Sequence, residues 1–566
     1  MRLALVALVF FAMPALAEES PPIAARMPAG ATAYFEVQGL GQRVQALWES
    51  PLADSIRTHP AMLKFLASPE GQKFQIGQGM LQGMLGMDVK TLLQEIGKGQ
   101  IAGAMYGTPQ NLLLVLEIDP KLANRLVGAI EFASQSARNE AVAKDDKGPA
   151  IFQVGKAFVC IEPTVTIISP SVELVSRVRA REGETMATSA QLAEAHRLAP
   201  GAPLAFGMLD LKPFHKQMAE NGKPKDFGQA LILGAFPHEL RSAPWAAFAF
   251  DLRPEGRDWN LRMEGVVPMP EQRSEKVQAA FGGTLKDLPF ELPEETLAVV
   301  RMKRNLRSLW EFQDDFIAAK ALPQLVNFSG TFETLTGLTF SEEVLPRLGG
   351  EVTFVAIRRT WADGEPTPEV KLPYMALIWP IKTDERMRQS MDLAFQQVMS
   401  LIGIQEKQMS RKFLVMRESY KEIAIMTAKY PSPTKGEMEG RRAMPIRYNF
   451  EPAAAVVGEQ YVIASSTAVL KRLIDAREGS TKAPAGKNAG FWLNPQPAVA
   501  MLRANRSALV AQHMIKEGVD KATAEQVIGL LLDAASMLTE FSFTADESRA
   551  ATGLSLHATL TAPEAK

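Results

Sequence analysis

The sequence predicts an α+β fold built as a tandem duplication of one large unit, with mainly antiparallel sheets and flanking amphipathic helices. Three observations predict it. Alternation such as Ala247-Phe248-Ala249-Phe250-Asp251-Leu252 suits a sheet with one buried face. Several strand-like stretches are joined by short links, which favours antiparallel pairing over a doubly wound parallel sheet. A series of segments also recurs in the same order in the two halves of the chain.

In chain order, residues 1–17 have the layout of a secretory signal peptide. Arg2 supplies the positive start, Leu3 opens an apolar core, and Ala15-Leu16-Ala17 is a small-x-small cleavage site. Cleavage after Ala17 would deliver a periplasmic or secreted protein. The apolar run is too short to span a ~30 Å hydrocarbon core as an anchor. Residues 18–27 read as an N-terminal linker, 28–267 as the first unit and 268–292 as a connector. The second unit follows over 293–562, with a tail at 563–566. Within the connector a short helix is expected over 271–280.

The repeat begins with Ala33-Tyr34-Phe35-Glu36-Val37 beside Ala298-Val299-Val300-Arg301-Met302. Next, Leu47-Trp48-Glu49 matches Leu309-Trp310-Glu311. Gly97-Lys98-Gly99 and Gly349-Gly350 each follow a helical stretch and lead into a strand. The longest match sets residues 166–183 over 462–479 without a gap, both ending in Ala-Arg-Glu-Gly. Ser171 or Pro170 is expected to open the first of these helices and Thr467 to cap the second, with Gly183 and Gly479 as the stops. Strand pairs near 248–250 and 541–543 close each copy. The halves differ most over 405–447, an excursion with five Lys, five Arg and five Glu, hence +5. Its middle reads as two short strands, 413–416 and 423–427. The segment is read as a solvated loop, with partner contact as the functional alternative.

Composition narrows the function. The 566 residues are 46% hydrophobic and 22% charged, too apolar for a disordered chain and too charged for a polytopic membrane protein. With 62 Lys+Arg against 63 Asp+Glu, a strongly basic nucleic-acid binder is excluded. No run of 18 apolar residues follows the signal; residues 527–538 are broken by Asp533 and suit a buried helix. One cysteine, Cys160, cannot form an internal disulfide, so core packing must hold the chain. Cys160 reads as a small buried strand residue, with no base in sequence to activate it.

The motifs of common chemistries are missing. His59, His196, His215, His238, His513 and His557 form no metal-ligand spacing, and there is no nucleophile elbow or Walker loop. The glycines at 97–99 follow a helix and precede a strand, the reverse of a phosphate cradle, and are read as helix ends needing positive φ. Met80, Met84 and Met87 fall at i, i+4 and i+7 on a Gly-rich helical stretch. Core packing is the expected role, with a Cu(I) face or a pliable apolar-ligand surface as alternatives. No catalytic, cofactor or metal residue is therefore assigned.

The segments 27–37, 97–106, 349–357 and 462–479 resemble a family of uncharacterised exported bacterial proteins, found in planctomycete-type and other envelope-rich bacteria. That resemblance implies the cell envelope and carries no functional residues. The function expected is a non-enzymatic one, binding or scaffolding an envelope protein. A carrier of lipid or another apolar ligand, and a hydrolase built from dispersed carboxylates, are the alternatives.

Overall fold

The computed structural model describes residues 23–134, 149–199, 203–221, 223–268, 274–361, 367–408, 411–431, 443–484, 486–546 and 551–562. The segment read as a signal peptide, the polar stretch 135–148, the turn-rich 432–442 and the tail 563–566 lie outside them. The fold is α+β. Packing gathers the chain into two units. One holds residues 1–216, 242–268 and 553–566; the other holds 217–241 and 269–552.

The first unit is built on β1 (Ala33–Val37), β2 (Ile101–Met105), β3 (Leu112–Leu116), β4 (Ile151–Val154), β5 (Ala157–Ile161), β6 (Thr166–Ser169), β7 (Ala205–Asp210), β8 (Trp245–Glu255) and β9 (Asp258–Pro268). They pair antiparallel in the order β4-β5-β6-β3-β2-β1-β7-β8-β9. The last strand, Ala551–Thr561, joins β9, and Thr559 Oγ1 donates to Asn260 Oδ1 at 2.9 Å. On the central strand β1, Phe35 faces Gly103 on β2 and Gly207 on β7. A methyl group on Gly103 would sit 2.1 Å from the Phe35 ring, so a side chain there would displace the ring. The buried face gathers Tyr34, Leu113, Ile167, Phe206 and Trp245. Each such side chain contributes about 1.5–3 kcal/mol, which is how one sheet is held without disulfides.

The second unit uses β10 (Thr296–Lys303), β11 (Glu351–Ile357), β12 (Tyr374–Pro380), β13 (Leu414–Tyr420), β14 (Ile423–Lys429), β15 (Ala453–Val457), β16 (Gln460–Ala464), β17 (Ala489–Leu493) and β18 (Leu538–Asp546). The order is β13-β14-β15-β16-β12-β11-β10-β17-β18, again antiparallel. Without β13, it repeats the first unit's order from β4 to β8. The two strands read inside the excursion are β13 and β14, a hairpin that extends the sheet edge beyond β15.

The residues read as a connector contribute to a core. The helix there runs Glu275–Phe281, and Val277, Ala280 and Phe281 pack with Leu306, Leu309 and Phe316. Helix Phe227–Leu233 is fastened to this cluster by Arg304. The residue is 3% exposed and its guanidinium donates to the carbonyls of Leu231 (2.5 Å) and Ile232 (3.4 Å), at the helix end where carbonyls lack partners. Gly234, at φ 60°, lets the chain turn there; a Cβ would lie 2.6 Å from Arg304 Nη2.

Three local expectations are corrected. Gly97 ends helix Val89–Ile96, but at φ −85°, and neither Gly99 nor Gly349 nor Gly350 has positive φ. Close approach requires the first three instead: a Cβ on Gly97 would lie 2.0 Å from the Gly41 nitrogen, on Gly99 2.0 Å from the Glu117 carbonyl, and on Gly349 2.6 Å from Pro380. The cap of helix Thr467–Asp475 is Ser466, whose side chain accepts from the Ala468 N–H at 3.2 Å. Thr467 is the first helical residue, and its hydroxyl bonds Thr427 Oγ1 at 2.9 Å inside the core. Residues 527–536 fall in helix Lys521–Ser536 and Leu538 already opens β18; the helix is amphipathic, with Ile528 and Leu532 buried and Leu531 58% exposed. Among the described residues, no helix is long and apolar enough to cross a membrane.

Candidate functional site

The residues singled out in sequence do not converge. Cys160 is fully buried on β5, with its Sγ 3.6 Å from the Pro149 carbonyl, and burial pushes its thiol up to about 11. Its thiolate is suppressed where a nucleophile needs it. The methionine stripe is broken, because helix Pro69–Leu85 stops at Gly86 (φ 68°), before Met87. Met87 packs on Leu85, Leu92 and Leu122, while Met80 is 60% exposed. Met80 is thus not the core residue it was expected to be. No group of three or more His, Cys, Asp or Glu side chains placed to hold a metal ion occurs among the described residues.

Two charged residues inside the sheets escaped the sequence reading. Glu36 on β1 is 5% exposed, accepts the Tyr34 hydroxyl at 2.6 Å and lies 3.3 Å from His196 Nε2. The His196 ring stacks on Phe206 with centroids 4.0 Å apart. Burial and the neighbouring carboxylate hold the Tyr34 phenol protonated far above its ordinary range. At the corresponding place on β10, buried Arg301 pairs with buried Glu351 and donates to the Lys286 carbonyl. These charges are paired inside the fold, where an unpaired charge would cost several kcal/mol, although the buried Arg301 Nε has no hydrogen-bond partner among the described residues.

A half-open cleft in the first unit has a volume of 590 Å³. Its walls are local chain ends. Arg26 closes a 3₁₀ turn over Ile23–Arg26, Glu117 and Asp119 follow β3, Thr164 lies in the β5–β6 turn, and Arg181 ends helix Val172–Ala180. Three of the four charges are committed. Arg26 Nη1 pairs with Glu162 Oε2 at 3.0 Å. Glu117 Oε2 accepts the Gln100 N–H at 3.0 Å, and Asp119 Oδ1 accepts the Lys121 N–H at 2.7 Å where the next helix starts. Among the described residues, Arg181 has no ion pair or side-chain hydrogen-bond partner. The lining therefore offers one open guanidinium and carboxylates already occupied by backbone donors.

Backbone geometry puts Arg181 there. Helix Val172–Ala180 starts at Ser171, whose hydroxyl accepts the Leu174 N–H, and ends with Arg181 itself at φ 55°, ψ 41°. A side chain in this left-handed region costs about 1–2 kcal/mol. The same four residues, Ala-Arg-Glu-Gly, end the counterpart helix differently. There Ala476–Glu478 continue as a 3₁₀ turn, and Arg477 needs no positive φ. Identical sequence is strained only where the arginine lines the cleft.

The cleft was not visible in sequence, because its walls come from residues 25–26, 117–120, 163–165 and 181. The signal within reach was that tetrapeptide, which was read only as a helix stop. A second cavity, an open groove of 460 Å³, runs along helix Leu322–Thr336 past Val326, Gly330 and Thr334.

The profile of a family described as "Protein of unknown function (DUF3352)" matches residues 258–528. No curated protein and no solved structure matches the chain. The matched span takes in β9 and nearly all of the second unit's sheet, from β10 to β17, and leaves out the cleft.

Proposed function

We propose that the protein is an exported, non-enzymatic binding protein of the cell envelope, periplasmic or secreted, whose first unit takes a small anion in its cleft. The observation that carries this reading is Arg181. Among the described residues, its guanidinium is the one charged group of the lining without a partner, and its backbone is held at φ 55°. Strain of this kind concentrates at ligand clamps and switches. A carboxylate or phosphate would meet up to five N–H donors there, and bidentate pairing gives such contacts their strength. Export rests on residues 1–17, and the envelope on the resemblance noted above. We also propose that the units arose by duplication, which the matched segments and the shared strand order support.

Calorimetric titration of the mature chain with citrate and inorganic phosphate tests the cleft. Arg181→Gln is expected to weaken binding about ten-fold or more, and Arg477→Gln to leave it unchanged. Equal losses in the two variants would refute the assignment. Intact mass tests export: Glu18 is the expected first residue of protein recovered from outside the cytoplasm, and a retained Met1 would contradict it.

A further inference from the structure

A second surface, in the other unit, alternates cations with aromatic rings. Lys371 Nζ lies 5.8 Å from the centre of the Trp361 ring. The Arg359 guanidinium lies 5.1 Å from the same ring and 5.3 Å from that of Tyr374. Arg472 follows at 5.8 Å from Tyr374. Arg359 and Trp361 leave the end of β11, Tyr374 opens β12 opposite Ile357, and Arg472 comes from helix Thr467–Asp475. The ladder therefore draws on three elements, two of them a hundred residues apart.

Its frame is fixed by two asparagines. Asn505 Oδ1 accepts the Lys371 N–H and its Nδ2 donates to the Lys371 carbonyl, each at 2.7 Å. Buried Asn449 does the same one residue to either side, accepting from Leu372 N–H at 3.0 Å and donating to the Val370 carbonyl at 2.7 Å. Each amide mimics a strand partner, so a short non-strand segment is held as firmly as one in a sheet.

The donors are mostly uncommitted. Of its five N–H groups Arg359 uses one, to the Asn449 carbonyl at 3.4 Å. Among the described residues, Lys371 Nζ has no ion pair or hydrogen bond, and Arg472 has a single long ion pair, 3.8 Å to Glu295. Rings that hold cations flat spare them part of the side-chain entropy lost on binding.

We propose that this ladder is a binding site for an acidic polysaccharide, a polymer presenting carboxylates or sulfates at intervals. Single-stranded nucleic acid is the competing polyanion, and it relies on open aromatic faces for base stacking. Here each ring is already engaged by two cations, so the surface offers charge without stacking platforms.

Affinity electrophoresis of the mature chain through gels carrying polygalacturonate, heparin, neutral dextran or oligo-dT tests this. Retardation by polygalacturonate, heparin or both is expected, the pair separating carboxylate from sulfate recognition, with dextran and oligo-dT inert. The double variant Lys371→Gln/Arg472→Gln changes two partly exposed side chains and should weaken glycan binding about ten-fold or more. Trp361→Leu keeps every charge and should weaken it as well, because the cations lose their platform; circular dichroism establishes that each variant is folded. No retardation by either acidic glycan, equal retardation by oligo-dT, or undiminished binding in the folded double variant would overturn the proposal.

Discussion

Arg181 sits where glycine would be cheapest. A left-handed backbone at a helix end favours glycine, and two residues later Gly183 takes φ 86° at no cost. Arg181→Gly should therefore raise stability by about 1 kcal/mol while abolishing anion binding, an exchange expected where strain serves a site. Chemical denaturation and titration of the same variant measure both. Gly234 makes the opposite case. It holds φ 60°, ψ −140°, a conformation essentially restricted to glycine, against the buried Arg304 guanidinium. Gly234→Ala should destabilise the second unit by about 2–3 kcal/mol, seen as a lower denaturant midpoint. Neither role could be read from the residue alone, since Ala-Arg-Glu-Gly has one spelling and two conformations.

At the scale of elements, helix starts were the most legible, because capping is local. Of the two candidates Ser171 and Pro170, Ser171 is the cap, and the second cap is displaced by one residue, Thr467 having a buried partner in Thr427. Asp88 and Asp520 open helices Val89–Ile96 and Lys521–Ser536 in the same way, each accepting the N–H of a threonine three residues on at 2.8 Å. Those amide bonds hold both carboxyls below their ordinary 3.8. A lowered folded value stabilises fully above the ordinary one, and the contribution is lost as pH falls through the folded value. Asp88→Ala and Asp520→Ala should each lower the melting temperature near pH 7, and the gap from the parent chain should close below about pH 4. A gap that stayed constant to acid pH would contradict the capping role. Strands were legible where they alternate, as in β8, and in the hairpin β13–β14. Glu36 and Arg301 were passed over because a charge within an apolar strand gives no local sign of the partner that folding supplies.

At the scale of the whole molecule, chain order and packing order diverge. Similarity between the halves runs along the sequence, whereas packing assigns residues 217–241 to the second unit and 553–562 to the first. Helix Phe227–Leu233 crosses that divide because Ala230 and Ala235 find Val277 and Leu306 to pack against, and Arg304 to close the helix end. No sequence pattern marks such an exchange; each segment is an ordinary amphipathic stretch. The strand orders nevertheless agree from β4 to β8 and from β14 to β18, so the fold class was readable and the assignment of edge segments was not. The two proposed sites fall in different units and rest on different features: a strained arginine in the first, a cation–aromatic ladder in the second. Calorimetric titration of the mature chain and its Arg181→Gly variant with citrate and inorganic phosphate tests the anion site most directly. Saturable binding by the parent, lost in a variant that is more stable, is the expected result; binding by neither protein, or equally by both, would contradict it.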